Sequence, residues 1–109
     1  MKINIKPLSV NQCWQGKRFK TPKYKSYEFE LLLLLKSNLS IPKGRLSLSI
    51  TFGLSSKLND IDNGLKPFID VLQKKYGFND RDIYKLEVEK VIVPKGQEYI
   101  DFKIKQLEK

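Results

Sequence analysis

NDIDNGLKPFIDVLQKKYGFNDRD, residues 59–82, decides how the rest of the chain is read. Leu65, Phe68, Ile69, Leu72 and Tyr76 recur at steps of three and four, the apolar stripe of a helix and not the alternation of a strand. The predicted helix spans 63–76. Asp62 or Asn63 offers the side-chain oxygen that an N-cap needs, and Gly77 offers a stop. Pro67, one turn in, is expected to remove a backbone bond and leave the first turn irregular. Asp60 and Asp62 precede this helix. Lys66 and Asp70 follow Asp62 at steps of four, which places all three on one helix face. Asp80 and Asp82 follow the stop.

The flanking segments set the fold class. Residues 45–52, RLSLSITF, put Leu46, Leu48, Ile50 and Phe52 on one side of a strand. Residues 83–93, IYKLEVEKVIV, and 99–104, YIDFKI, read as two more strands. The turn residues Pro94, Lys95 and Gly96 between them predict a hairpin. Residues 1–6, MKINIK, form a short strand through Ile3 and Ile5, ended by Pro7. Residues 23–37, KYKSYEFELLLLLKS, read as a helix with a stripe of Tyr24, Tyr27, Leu31, Leu34 and Leu35, widened by Leu32 and Leu33. A helix so broadly apolar is expected to meet a second surface besides the sheet, such as a partner subunit. Residues 9–22 show no period and read as a loop. The order β-α-β-α-β-β predicts a single α+β domain, a mixed four-stranded sheet covered by two helices.

Composition narrows the chemistry. The 109 residues carry 21 Lys and Arg against 12 Asp and Glu, a net charge of +9. Such a surface attracts polyanions, so nucleic acid is the first partner to consider. The single cysteine, Cys13, allows no internal disulfide, which fits a reducing cytoplasm. The chain has no histidine. That excludes Ser-His-Asp and Cys-His catalysis and His-ligated zinc, and leaves carboxylates and lysines as reactive groups. The leucine run 31–35 is far short of the ~20 apolar residues of a membrane span, and no secretion signal is read at the N-terminus. Neither a membrane nor a small-molecule cofactor is expected as a partner.

The aperiodic segment carries cations suited to nucleic acid. Lys17, Arg18 and Lys20, with Lys23 and Lys25 just beyond, can neutralise backbone phosphates. Trp14 and Phe19, interleaved with them, either stack on exposed bases or pack onto the core.

Hard divalent ions such as Mg²⁺ prefer carboxylate oxygens and water. Two aspartates in Asp-x-Asp spacing before a helix are therefore candidate ligands, and Lys66 can stand at a scissile phosphate. The same spacing also fits an N-cap followed by a solvated acidic face. Asp70, one turn beyond Lys66, either orients that lysine or forms a surface ion pair of little energy.

Asp60-Ile61-Asp62-Asn63 followed by Lys66-Pro67, Asp70 and Leu72 resembles the signature of the RusA family of Holliday junction resolvases. The resemblance continues in Asn79-Asp80 before Ile83, in Leu86-Glu87-Val88-Glu89-Lys90, and more loosely in the strand, Pro7 and basic loop leading to Tyr24. It implies a small homodimeric endonuclease that depends on Mg²⁺, with Mn²⁺ as a possible substitute, and cuts branched DNA symmetrically. By the same resemblance Asp60, Asp62 and Asp80 are the metal-holding acids and Lys66 is the essential lysine. Asn79 replaces the first acid of a common Asp-Asp pair, and Arg81-Asp82 replaces a common Ser-Gln, so Asp82 remains the alternative third acid. The other function classes are a non-catalytic basic module that binds nucleic acid and a small dimeric adaptor that uses the leucine-rich helix.

A helix over 63–76 is on the order of 20 Å long. Asp62 and Asp80 would then sit at opposite ends. Either the chain after Gly77 folds back along the helix, or the third acid comes from a second subunit across a two-fold axis.

Overall fold

The computed structural model describes residues 1–16 and 18–107. Its strands are β1 (Lys2–Ile3), β2 (Trp14–Gln15), β3 (Phe19–Lys20), β4 (Leu46–Leu54), β5 (Ile83–Ile92) and β6 (Tyr99–Gln106), and its helices are α1 (Pro22–Leu34) and α2 (Leu65–Tyr76). Four strands form a mixed sheet in the order β1-β6-β4-β5, and β2 and β3 pair separately. The α+β architecture is the one expected.

β4 lies inside the sheet, and its inward face is wholly apolar over its full length, as a strand covered by helices requires. Leu46, Leu48, Ile50 and Phe52 are all buried. It pairs in parallel with β5, Ile50 opposite Val88, and antiparallel with β6, Ile50 opposite Phe102. The expected hairpin of the last two strands is therefore wrong: β4 lies between them. Pro94, Lys95 and Gly96 do turn the chain, but the turn carries it past the end of β4, where Val93 N–H donates to Leu54 O. The charged outward row of β5 (Lys85, Glu87, Glu89) suits an edge strand, where charge discourages edge-to-edge association. The more apolar β6 sits inside the sheet.

Helices and sheet share one core. Phe68 contacts Phe52 and Phe102 edge-to-face, with ring centroids 6.4 and 5.5 Å apart. Tyr24, Tyr27, Leu31 and Leu35 of the α1 segment join it, while Leu34, assigned to that stripe from its spacing, is exposed. α1 starts where Thr21 caps it by accepting from Tyr24 N–H and Pro22 takes the first turn. Phe29, Leu33 and Leu34 face outward. On the sheet's other face a Cβ at Gly53 would overlap the Tyr99 ring, so a glycine is required there. Lys2 Nζ lies 4.4 Å from the centre of that ring.

One buried charge ties three elements together. Glu28 of α1 is 8% exposed and accepts from Lys20 Nζ of β3 at 2.8 and 3.0 Å and from Lys74 Nζ of α2 at 2.8 Å. Burial alone would raise its carboxyl pKa, but the two lysines outweigh burial and hold it below the usual range. A depressed folded pKa gives stability that is present above the unfolded value, about 4.3, and lost as pH falls through the folded one. Glu28→Gln is expected to cost about 1–3 kcal/mol at pH 7. The difference from the parent should shrink towards pH 3, as read by urea unfolding across that range; a pH-independent difference would refute the ionic account.

Candidate metal and nucleic-acid site

The acids lie where the sequence places them, but the local structure differs from the helical frame. Residues 61–64 form a turn, and α2 begins at Leu65 with Gly64 as its N-cap and no side-chain capping bond. Neither Asp62 nor Asn63 caps. Gly64 stands there because the turn is pressed onto the core: a Cβ would meet Phe52 Cε1 at 3.3 Å and Pro7 Cβ at 3.5 Å. Pro67 falls in the first turn of α2, where its missing N–H has no intrahelical acceptor to lose, so no irregularity follows. Asp62 accepts from Leu65 N–H through its backbone oxygen, 3.1 Å, and sits outside the helix. It does not continue the Lys66–Asp70 face.

The turn is fastened from two sides. Val10 N–H donates to Asn63 O at 2.7 Å, joining it to the N-terminal segment. Lys90 Nζ of β5 donates to Asn59 O at 2.7 Å and to Lys57 O at 3.2 Å. Lys90 was visible in the sequence only as part of a charged strand; its role emerges because β5 lies parallel to β4 and delivers it under the β4–α2 loop. Lys90→Met is expected to loosen the Asp60 turn, read as faster backbone amide exchange at residues 57–64 with the core strands unchanged; unaltered exchange there would mean that Lys90 does not hold the turn.

After α2 the chain folds back. Gly77 takes the left-handed conformation, φ 74°, and its N–H closes the helix on Gln73 O. Asn79 then caps a short 3₁₀ turn at Asp80–Asp82 by accepting from Arg81 N–H, which gives a local reason for asparagine at that position. Asp80 N–H donates to Gln73 Oε1 at 2.9 Å, and the Asp80 carboxylate lies 3.6 Å from Lys66 Nζ. The chain after Gly77 folds back along α2 far enough to set Asp80 beside Lys66, but it does not bring Asp80 into one cluster with Asp60 and Asp62 among the described residues. Asp80, not Asp82, is the acid at Lys66.

Lys66 thus stands between two carboxylates, with Asp70 Oδ1 at 2.8 Å. The Asp70 hydrogen bond, opposed by burial and aided by the charges of Asp70 and Asp80, raises its pKa. With a raised folded value its ion-pair contribution is complete below the unfolded pKa near 10.4 and fades only above it. At neutral pH Lys66 is a cation and not a base. Gln73 was overlooked in the sequence, although it lies three residues past Asp70 on the same face. Its amide nitrogen approaches Asp70 Oδ1 at 3.4 Å while its oxygen holds Asp80.

Asp60 and Asp62 are exposed, and neither forms an ion pair among the described residues. No three acid, histidine or cysteine side chains among the described residues stand close enough to hold one metal ion. The structure therefore brings Lys66, Asp70 and Asp80 together and leaves Asp60 and Asp62 as a separate uncompensated pair beside them in sequence. Mg²⁺ is ordinarily held by one or two carboxylates, with waters and substrate phosphates completing the shell. Asp60 and Asp62 are two exposed carboxylates of the donor type that such a shell uses.

Of the expected DNA contacts, Arg18, Lys23 and Lys25 are exposed. Lys20 is partly exposed and paired with Glu28. Lys17 lies outside the described residues. The loop expected at 9–22 contains a 3₁₀ turn and the small β2–β3 ladder, Trp14 opposite Lys20. Trp14 is half-exposed with its ring against Tyr24, centroids 5.7 Å apart, and Phe19 is 73% exposed. Core packing does not account for Phe19. Cys13 is buried, and burial first, then Asp70 and Glu28, raises its thiol pKa, which keeps it un-ionised. No helix among the described residues is long and apolar enough to cross a membrane. No protein-family model and no curated protein matches the chain.

Proposed function

We propose that this protein is a Mg²⁺-dependent endonuclease that cuts branched DNA, four-way junctions first, as its resemblance to the RusA resolvases implies. One observation supports this above the others. In a chain of charge +9, Asp60 and Asp62 stay exposed without a cation partner among the described residues, on a turn clamped by Lys90 and by the N-terminal segment. Caps and salt-bridge partners would account for these acids in a non-catalytic module, and these two are neither.

In this reading Asp60 and Asp62 hold the ion, which when bound supplies charge neutralisation at the phosphate and an activated water. Lys66, fixed as a cation, faces the non-bridging phosphate oxygens and offsets charge as it grows there. Asp70 and Gln73 keep Lys66 and Asp80 in register. Asp80, paired with Lys66 at 3.6 Å, would be the third carboxylate able to hold the ion if a phosphate took the lysine. Arg18, Lys23 and Lys25 draw in the backbone, and affinity falls as salt rises. Paired cuts call for two such sites, so the working form is a homodimer, for which the outward Phe29, Leu33 and Leu34 of α1 offer apolar surface.

The test is a synthetic four-way junction incubated with the protein and Mg²⁺ or Mn²⁺. Symmetric nicks support the reading. A gel shift without nicks under either metal would overturn it in favour of the non-catalytic binding module.

A further inference from the structure

The first 27 residues carry seven Lys and Arg and no acid, so a quarter of the chain holds seven of its nine net charges. The β2–β3 ribbon lies within this segment. Paired residues of an antiparallel ribbon share a face, and successive residues alternate. Trp14 pairs with Lys20, and Gln15 pairs with Phe19. The Trp14–Lys20 face is turned onto the body of the protein. The Trp14 ring meets Tyr24 edge-to-face, Lys20 Nζ lies 5.1 Å from the centre of the Tyr24 ring, and Lys20 pairs with Glu28. The Gln15–Phe19 face is therefore the outer one. Phe19 is 73% exposed, more than any other aromatic side chain among the described residues.

Single exposed apolar residues are common and need no partner. Phe19 differs in how it is held and in what surrounds it. Thr21 N–H donates to Cys13 O at 2.9 Å and the Thr21 hydroxyl donates to Gln12 O, which fastens the root of the ribbon. Fixing the ribbon in advance lowers the ordering entropy lost when the ring is covered. Arg18 beside it, and Lys23 and Lys25 at the start of α1, are exposed cations. A second copy of the chain is a poor cover for this ring. Two ribbons meeting about a two-fold axis would set acid-free segments together, cation against cation. An anionic bilayer matches the charge, but binding there scales with buried apolar area, and the polar Gln15 shares the face of Phe19. A polyanion that also presents a flat apolar face is nucleic acid with an open base.

We propose that the β2–β3 ribbon is a stacking arm: Phe19 covers the face of an unpaired DNA base, while Arg18, Lys23 and Lys25 meet the adjoining phosphates. Base pairs inside a continuous duplex offer no free face, whereas a branch point or a single strand does. The arm therefore favours branched over continuous duplex DNA. Its segment is joined to the turn that carries Asp60 and Asp62, through Val10 N–H and Asn63 O. Its use at a branch point rests on the endonuclease reading; the stacking of a base on Phe19 does not.

Two measurements on the full chain test it without any cutting. In the first, a thymidine decamer and an abasic decamer of equal length are bound in turn, read by the anisotropy of a terminal fluorophore. The parent should bind the thymidine strand more tightly. Phe19→Ala should weaken that binding about tenfold and leave abasic binding unchanged, and Phe19→Trp should keep it. Arg18→Gln should weaken both alike. In the second, the thymine methyl NMR signals should move upfield on binding to the parent, the ring-current mark of a base lying on an aromatic face. Equal or no affinity for the two decamers, no upfield movement, or a Phe19→Ala loss shared by the abasic strand would overturn the proposal. So would a Phe19→Ala effect confined to self-association or to phosphatidylserine vesicles, which would assign the ring to a second copy or to a membrane. A protein that cuts junctions but binds both decamers alike keeps the nuclease reading and loses this one. A protein that tells the decamers apart through Phe19 and never cuts does the reverse.

Discussion

Asp62→Asn is expected to leave the protein folded and able to retain a four-way junction on a gel, while Mg²⁺-dependent cutting falls by about 10³-fold. The substitution keeps the shape of the side chain and removes one anionic oxygen. Asp62 is exposed and carries no ion pair among the described residues, so its stability role is small, within about 0.5 kcal/mol. On the proposed endonuclease reading its metal role is large: a bound ion would contribute several kcal/mol at the transition state, and about 4 kcal/mol corresponds to 10³ in rate. Retention should be unchanged or tighter, since a negative charge near the phosphates is gone. Single-turnover cutting at saturating protein, with the gel shift in parallel, separates the two effects. Undiminished cutting by Asp62→Asn would remove the acid pair from the chemistry.

Phe68→Ala should have the largest effect on stability. Phe68 is fully buried at the meeting point of α2, β4 and β6, its ring packed edge-to-face on Phe52 and Phe102. Truncation removes the burial and leaves a cavity that three elements cannot collapse, at about 3–5 kcal/mol. A domain of this size holds on the order of 5–15 kcal/mol in all. Each kcal/mol is worth roughly 4–8 °C, so the unfolding midpoint should drop by about 15 °C or more. Phe29→Ala, on the outward face of α1, is the control: 68% exposed, it should change the midpoint of the isolated chain hardly at all. If the protein pairs through that face, the Phe29→Ala effect should instead depend on protein concentration. A Phe68→Ala protein that melts with the parent would mean that the core is not packed as described.

Legibility varied with the range of the interaction. The period of α2, the alternation of β4 and the left-handed stop at Gly77 were all readable, because each depends on residues a few positions apart. The hairpin of β5 and β6 was misread for the opposite reason. Turn residues report that the chain reverses, but not which strand lies beside it after the turn; β4 lies between the two. The N-cap was misread because Asp62 and Asn63 are good caps locally, yet packing of Gly64 on Phe52 and Pro7 set the helix start. The pairing of Lys20 with buried Glu28 was not legible, because the two meet only when β3 packs beside α1.

The sequence by itself determined which residue types were available: acids before and after one helix, no histidine, an excess of cations and an α+β order of elements. Only the tertiary structure decided how they meet. The reversal at Gly77 set Asp80 beside Lys66, and the parallel placement of β5 put Lys90 under the Asp60 turn. The N-terminal segment closed a cleft against that same turn. The division has a physical cause. Local periodicity and backbone preference are written in neighbouring residues, whereas the contacts that assemble a site join positions far apart in the chain and form only when the core beneath them is packed.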